Sequence, residues 1–381
     1  MRGTVIRRGS TWAVVVDLGT DPDTGTRRRK WHSGYRTKRD AERARVEILR
    51  RLDTGSYIEP TTVTVAEYLA AEWLPAIRGQ IRASTFDACE LHVRRYIAPR
   101  IGDVPLQKLT RGRVKALYAE LAEAGRERRT GGLSPKTVHN VHLTLRKALA
   151  DAVADDLIPR NPAERAHKLP TDRPEMRTWS PEQLKCFLDH VAEDWLAACW
   201  RLAATTGMRR GELLALRWEE VALDAGRVTV VRQLVKADGG VRYGRPKTSR
   251  GRRMVAIDAA TVAALRTHRR KQLEIKVAVG RGFKDEGLIF CMPDGSPIDP
   301  DGLTQRFERH VRQAGLPRIR LHDLRHTHAT LALAAGVHPK VVQERLGHSS
   351  IVVTLDTYSH AIPALQEDAA ARLAALVDGG A

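Results

Sequence analysis

Residues 1–58 combine strand-like and helix-like patterns of apolar positions. Trp12 to Leu18 is rich in β-branched residues, and the run Arg27 to His32, which follows a turn, predicts a second and strongly basic strand. Thr37 can cap a helix whose apolar residues recur at helical spacing as far as Gly55. We therefore predict a small module in which a helix packs on one face of a β-sheet.

The predicted second strand carries a run of basic residues, Arg27, Arg28, Arg29 and Lys30. If the helix covers one face of the sheet, we expect the other face to carry these side chains, together with Trp31 and Tyr35. A basic sheet of this kind fits the major groove of DNA. The alternative is a strand whose charges are simply solvated.

Residues 63–167 contain four helical repeats of apolar positions. The four stretches are Val65 to Trp73, Thr85 to Tyr96, Arg111 to Ala124 and Ser134 to Asp151. They predict an all-helical domain, for which the apolar pattern alone leaves a DNA-binding domain and a plain helical bundle as alternatives. The loop before Ser134 carries three arginines that are candidates for phosphate contacts, Arg126, Arg128 and Arg129.

Residues 174–362 alternate helix and strand patterns after a linker with two prolines, Lys168 to Thr178. A capped helix starts at Ser180, a strand hairpin covers Gly226 to Tyr243, and Met254 to Ile257 predicts a third strand of the same region. The pattern predicts a mixed α+β domain. Residues 363–381 add a predicted tail helix, so the chain as a whole is predicted to be multidomain and mainly α, with small β-sheets.

The charge of the chain points to a polyanionic partner. The 381 residues have a formal net charge of +19 and a pI near 10.2, a surplus that favours binding to phosphate backbones. The sequence lacks an apolar run of membrane-spanning length, and we expect a soluble, intracellular protein without membrane contact. Four widely separated cysteines lie within apolar patterns, and we expect them to be reduced core residues, Cys89, Cys186, Cys199 and Cys291.

Candidate chemistry is concentrated between Leu321 and Tyr358. His322 and Arg325 lie three residues apart on one face of a predicted helix, and His348 precedes Tyr358 by ten residues. A guanidinium and two imidazoles around a phenol suit a nucleophile that attacks a phosphodiester. A half-buried tyrosine and structural histidines are the alternative for each residue taken alone.

Two further features of the sequence bear on this site. Arg209 follows a helix-ending glycine, and Glu212, three residues later, could hold its guanidinium. Arg210 is its neighbour, and we expect it to be exposed or to contact the DNA backbone. His322 and His326 have a spacing that could chelate a metal, but no third ligand is evident in the sequence, so we predict no metal site.

Arg209, Lys247, His322, Arg325, His348 and Tyr358, in this order, resemble the signature of the tyrosine recombinases, the phage-integrase family of site-specific DNA recombinases. The resemblance implies that Tyr358 forms a 3′-phosphotyrosyl bond while Lys247 protonates the leaving 5′ oxygen, with Lys236 as the fallback. It also implies that no cofactor is needed. The module of residues 1–58 resembles the arm-binding domain of many integrases, and the helical domain resembles their core-binding domain.

The resemblance implies partners as well: double-stranded DNA attachment sites and a homotetramer assembled on DNA. It leaves open whether a host DNA-bending protein and an excision accessory protein take part. We expect a bacterial cytoplasmic protein that is associated with the nucleoid when bound to DNA. The alternatives are a type IB topoisomerase, which rejoins the same strand, and a non-catalytic DNA-binding regulator, which would not need the six polar residues.

Overall fold

The computed structural model describes residues 3–20, 24–54, 57–126, 131–166, 176–237, 240–244, 251–348 and 350–358, together with residues 374 and 377. The chain folds into two compact units, Met1–Thr171 and Asp172–Ala381. The predicted fold class is confirmed, because helices dominate both units and the sheets are small and antiparallel. No helix among the described residues is long and apolar enough to cross a membrane.

The first unit begins with a three-stranded antiparallel sheet and one helix. The elements are β1 (Gly3–Arg8), β2 (Thr11–Thr20), β3 (Arg27–Tyr35) and α1 (Lys38–Asp53). Thr37 caps α1 by accepting a hydrogen bond from the backbone N–H of Asp40, as its position in the sequence predicts. The helix covers Val14 and Val16 of the central strand β2, so one face of the sheet is buried.

The expectation that the basic residues of β3 share the open face is correct for Arg29 and wrong for Lys30. Successive side chains of a strand point to opposite faces, and Lys30 lies opposite the buried Val16, on the helix side of the sheet. Arg28 and Lys30 both pair with Glu59, at 3.4 and 2.5 Å. The open face carries Ile6 and Arg8 of β1 and, as expected, Arg29 and Trp31 of β3.

The remainder of the first unit is helical, as predicted. Its α-helical segments are α2 (Val65–Glu67), α3 (Leu74–Ile77), α4 (Ala83–His92), α5 (Ala98–Ile101), α6 (Arg111–Ala124) and α7 (Pro135–Ala154). Two π-helical segments, Tyr68–Trp73 and Val93–Ile97, join α2 to α3 and α4 to α5, so that these pairs form continuous rods. The described helical segments of this region therefore form four long helices around one apolar core. The hydroxyl of the buried Tyr68 also donates a 2.9 Å hydrogen bond to the carbonyl of Ala148.

The second unit is built around a larger core of helices. Its helices are α8 (Pro181–His190), α9 (Ala197–Thr206), α10 (Arg210–Leu214), α11 (Ala259–Val279), α12 (Pro300–Gln313), α13 (Asp323–Ala334), α14 (Pro339–Leu346) and α15 (Ile351–Tyr358). Four aromatic side chains meet in this core, Trp179, Phe187, Trp200 and Phe307, with ring centroids 5.2 to 6.3 Å apart. The large apolar area removed from water stabilises the unit and fixes the helices that carry the polar candidates.

Two small sheets complete the second unit, as far as its described residues show. The strands are β4 (Val221–Ala222), β5 (Arg227–Val230), β6 (Gln233–Ala237), β7 (Gly240–Gly244) and β8 (Arg253–Ala256), in the orders β4-β5-β8 and β6-β7. The predicted hairpin from Gly226 to Tyr243 is confirmed only for β6 and β7, because β5 belongs to the other sheet. Arg232, which lies between β5 and β6, pairs with Glu219 and Glu220. An alternating apolar pattern does not reveal that the chain changes its strand partner at this point.

The cysteine prediction needs one correction. All four cysteines are free thiols, and Cys199 and Cys291 are buried, but Cys186 is exposed. Cys186 precedes Phe187 on α8, and Phe187 is the residue that this helix buries. The pKa of the Cys199 thiol is raised by burial, so this group is an inert core residue.

Candidate active site

Gly207 ends α9 in the left-handed backbone conformation, with φ at 63°. This turn lets the chain start α10 three residues later, with Arg209 in the extended conformation at its amino-terminal cap. Glu212 of α10 accepts a hydrogen bond from the backbone N–H of Arg209 at 2.9 Å and another from its Nη1 at 2.8 Å. The structure thus contains the predicted contact between Glu212 and Arg209, with the backbone N–H as a second donor.

Arg325 is buried on α13, and its guanidinium is held by backbone carbonyls. Nη1 donates to the carbonyl of Gly207 at 2.8 Å, and Nη2 donates to the carbonyl of Leu346 at 2.7 Å. These bonds tie the end of α9 and the end of α14 to one side chain. Because a guanidinium is planar and rigid, two such bonds fix its orientation as well as its place.

The end of α14 gathers three guanidinium groups. The carbonyls of Arg345, Leu346 and Gly347 accept hydrogen bonds from Arg253 Nε (2.6 Å), Arg325 Nη2 (2.7 Å) and Arg209 Nη2 (3.3 Å), respectively. The carboxyl end of a helix carries a partial negative charge and carbonyls without helical partners, so it attracts cations. Three cationic side chains are thereby brought to one helix end, directly before His348.

His348 and His322 are the imidazoles of this cluster. Burial and the positive charges of Arg325 and Arg209 lower the pKa of His348 to about 3, and its Nδ1 lies 2.8 Å from Thr354 Oγ1. His322 is an exposed residue. The atoms packed around it nevertheless desolvate it, and with His326 and Arg325 nearby its pKa is lowered to about 4. Both rings are neutral near pH 7, so each can donate one hydrogen bond and accept one.

A model of the phage integrase family matches residues 178–364, and a model of an arm DNA-binding domain matches residues 5–52. The putative prophage phiRv2 integrase of Mycobacterium tuberculosis is 30% identical over 310 residues, covering 77% of this chain and 75% of that protein. The chain belongs to the phage integrase family. The ICEBs1 integrase of Bacillus subtilis is 27% identical over 364 residues, which span 95% of this chain and 96% of the relative.

Solved structures agree with this assignment. The integrase of the Tn1549 transposon, in complex with transposon right end DNA, has a TM-score of 0.66 and 25% identity, covering 81% of this chain and 99% of that one. The chain is therefore a tyrosine recombinase, a site-specific DNA strand transferase. The resemblance noted in the sequence is confirmed at the level of family, fold and enzyme class.

The structure brings four residues of the integrase signature together. Arg209, Arg325, His322 and His348 all lie around the junction of α10, α13 and the end of α14. Tyr358 is the last residue of α15, which begins three residues after His348, and its side chain lies outside the described residues. Lys247 also lies outside them, in the segment 245–250 between β7 and β8.

Other candidate residues of the integrase are engaged elsewhere. Arg210 donates from Nη1 to the carbonyl of Pro300, to Asp301 and to Thr304, at 2.7 to 3.2 Å, so that a DNA phosphate would have to replace these acceptors. Lys236, the fallback proton donor, pairs with Asp301 at 3.0 Å and with Asp299 at 3.4 Å. Arg126 is exposed, whereas Arg128 and Arg129 lie outside the described residues.

Sequence reasoning missed Arg253 and Arg345. Arg253 begins β8 and contacts Glu212, which is 41 residues earlier in the chain. Arg345 of α14 donates to the carbonyls of Ala256 and Thr205, at 3.1 and 3.2 Å. In the sequence Arg253 is a member of a basic run, which usually marks a solvated face, and Arg345 is a single basic residue of a predicted helix, so only the observed partners distinguish them from other arginines.

Proposed function

We propose that this integrase cuts and rejoins DNA at attachment sites, with Tyr358 as the nucleophile and Arg209 and Arg325 as the cations that bind the scissile phosphate. The observation that carries the proposal is the convergence of these two guanidiniums on the end of α14, beside His348. Charge on the non-bridging oxygens increases as the phenolate attacks, and fixed cations lower the energy of that state without reorganising. Because both guanidiniums are already held by carbonyls, little ordering remains to be done when DNA binds.

The two histidines have distinct parts in this proposal. His322 is neutral near pH 7 and can accept the phenolic proton of Tyr358 as the bond to phosphorus forms. His348 can donate a hydrogen bond to a phosphate oxygen when its proton is on Nε2. This tautomer requires the hydroxyl of Thr354 to donate to Nδ1, and the 2.8 Å between the two atoms allows that bond.

Lys247 completes the proposed reaction. It protonates the 5′ oxygen as that oxygen leaves, and the phosphodiester bond is replaced by a 3′-phosphotyrosyl bond of similar energy. A 5′ hydroxyl from a second duplex then attacks the phosphotyrosine and releases Tyr358, so the strands are exchanged. Four protomers on two duplexes form the working unit of the family that the chain resembles, and we propose the same assembly here.

The amino-terminal module is proposed to bind distal arm sites through the open face of its sheet. Arg29 and Arg8 supply charge on this face, and Trp31, with about half of its surface exposed, supplies apolar contact. Arg28 and Lys30 are already paired with Glu59 and serve as matched controls on the same strand. Arg29→Ala should weaken arm-site binding and reduce its salt dependence, whereas Arg28→Ala should change both less.

The tail helix predicted at Ala364 to Val377 lies mostly outside the described residues, and we propose that it docks on a neighbouring protomer. A chain that ends at Ala361 should then cleave DNA but assemble synapses poorly. A chain that lacks residues 1–58 should cleave a core site normally and fail in integration that depends on arm sites. Equal integration by either shortened chain and the full chain would contradict the corresponding role.

The proposal is tested on the DNA that flanks the gene, where an attachment site is expected. A duplex from that region, nicked near the cleavage position, traps a covalent complex because the nicked fragment diffuses away after cleavage. Wild type should form this complex and Tyr358→Phe should not, although both bind the duplex. Relaxation of a plasmid regardless of the site would favour the topoisomerase alternative, and binding without any covalent complex would favour the regulator.

A further inference from the structure

A single buried carboxylate is shared by two arginines at the centre of the site. Glu212 has 1% of its side chain exposed, and it receives Arg209 Nη1 at 2.8 Å on Oε1. Arg253 contacts both oxygens, with Nη1 at 3.1 Å from Oε1 and Nη2 at 2.8 Å from Oε2. The two-bond contact therefore belongs to Arg253, and the guanidinium of Arg209 has one bond to the same carboxylate.

Arg253 itself is enclosed by protein. Its side chain is 6% exposed, and besides Glu212 it donates to the carbonyls of Gly251 and Arg345, at 3.1 and 2.6 Å. A guanidinium has five N–H groups, and these contacts occupy four of them. Arg253 is therefore poorly placed to contact DNA directly, and any effect it has on the reaction passes through the residues that it holds.

The charges of Glu212, Arg209 and Arg253 explain why it matters that the two arginines share one carboxylate. Burial opposes ionisation of Glu212, but the hydrogen bonds and charge of Arg253, with a smaller contribution from Arg209, keep its pKa below the usual range. The three ionised groups together carry one net positive charge. Without Arg253, both oxygens of the carboxylate would be available to Arg209 alone. The net charge of the Glu212–Arg209 pair would then be zero, and the pair would attract a phosphate only weakly.

We propose that Arg253 is a positioning residue for strand cleavage, which engages Glu212 so that the guanidinium of Arg209 remains available to the phosphate. The inference rests on the proposed role of Arg209 and adds to it a residue that orients that group. The bond from Arg253 Nε to the carbonyl of Arg345 also helps to position Arg209. It joins β8 to the last turn of α14, where the next two carbonyls accept hydrogen bonds from Arg325 and Arg209.

The test uses the full chain and two versions of one attachment core duplex. One carries the ordinary scissile phosphate, whose position is mapped first with the wild-type protein, and the other carries a methylphosphonate there, which has no negative charge. Single-turnover cleavage is measured at saturating protein, so that binding does not limit the rate. Arg253→Met should slow cleavage of the ordinary phosphate about tenfold to a hundredfold relative to wild type, because the loss of a residue that orients a functional side chain commonly costs this much. On the methylphosphonate the same ratio should fall to less than about threefold, because no phosphate charge remains to be neutralised.

Arg253→Lys is the second variant, and it keeps the proposal testable if the Met variant unfolds. It retains the positive charge but cannot make the two-bond contact, and it should show a smaller loss with the same dependence on the substrate. Arg306→Met is the matched control, since Arg306 makes a two-bond contact with the buried Asp194 elsewhere in the unit, at 3.0 and 2.6 Å. It should lower stability and affect both substrates equally.

The outcomes separate the positioning role from the proposed function. If folded Arg253→Met and Arg253→Lys are equally slow on both substrates, Arg253 is a structural residue and the inference is overturned. Arg209→Ala measures the proposed function itself and should show the strongest dependence on phosphate charge. If Arg209→Ala lacks that dependence, the assignment of Arg209 fails, whatever the Arg253 variants do.

Discussion

Gly207 is the position where one methyl group should cost both stability and activity. A Cβ built on this residue would lie 2.6 Å from Leu346 Cδ2 and 3.0 Å from His328 Cδ2, and the backbone has a φ of 63°. An L-residue in this left-handed conformation costs about 1 to 2 kcal/mol. Forcing a methyl group against the buried Leu346 adds about 1 to 3 kcal/mol, because the surrounding atoms must move. We expect Gly207→Ala to lower the free energy of unfolding by about 3 kcal/mol in total, combining these two terms.

Gly315 provides a control with the same backbone conformation. Its φ is also 63°, but an added Cβ would meet nothing within 4 Å. Gly315→Ala should therefore lose about 1 to 2 kcal/mol, the conformational cost alone. Chemical denaturation followed by tryptophan fluorescence measures both variants on the same unit of the chain. Equal losses at the two positions would refute the steric part of the reasoning.

Gly207→Ala should also slow cleavage. The carbonyl of Gly207 accepts a hydrogen bond from Arg325, so a shift of this turn displaces the guanidinium proposed to bind the phosphate. A displacement of about 1 Å in such a group can cost about a hundredfold in rate. Gly207→Ala combined with Leu346→Ala should lose less stability than the sum of the single changes, because the second change removes the methyl group that is struck. Strict additivity, or a folded Gly207→Ala with the wild-type cleavage rate, would contradict the proposed geometry.

Three other predictions concern protons. Lys247→Ala should cleave an ordinary site very slowly but a 5′-bridging phosphorothiolate at nearly the wild-type rate, since a thiolate leaves without a proton. If the variant is equally slow on both substrates, Lys247 is not the general acid, and Lys236 is the residue to test next. Thr354→Val should slow cleavage about tenfold by releasing the ring of His348, whereas Thr354→Ser should restore most of the rate; an unchanged rate in the Val variant would argue against tautomer control. Burial, with the charge of Arg345, lowers the pKa of His328 to about 4, so its stabilising contribution is present above the unfolded pKa of 6.5 and is lost as pH falls toward 4. Between pH 7.5 and 5 wild type should lose about 2 kcal/mol more stability than His328→Phe, and parallel pH curves for the two proteins would disprove this.

Much of the fold could be predicted because local patterns, such as apolar periods and capping residues, determine where many helices begin and end. Arg111 to Ala124 has an apolar period and a capping threonine, and it forms a helix with the predicted ends. Four residues that the structure brings together in the candidate site, Arg209, His322, Arg325 and His348, could be picked out from the sequence because the family signature preserves their order. Lys30 shows the limit of such reasoning on a strand, since its face depends on which residue of β2 lies opposite, and β2 and β3 shift register by a bulge.

The contacts that organise the site could not be predicted in this way. Glu212 and Arg253 meet only after β5, β6, β7 and β8 have folded back, and sequence spacing carries no trace of that distance. The break between β5 and β6 has the same origin, because pairing with different partners ends a strand that the apolar pattern continues. Long-range pairing, rather than local preference, decides each of these features.

The end of α14 has a consequence for how the protein tolerates mutation. At this helix end the groups that hold Arg253, Arg325 and Arg209 are peptide oxygens, which every amino acid supplies. Side-chain substitutions in the last turn of this helix leave those acceptors in place, so a mutational scan would score the turn mainly by its packing. Adding or deleting one residue within Pro339–Leu346 would instead rotate the oxygens by about 100° around the helix axis and misdirect all three arginines together. The register of this helix is therefore under a constraint that comparison of amino acid types, position by position, does not detect.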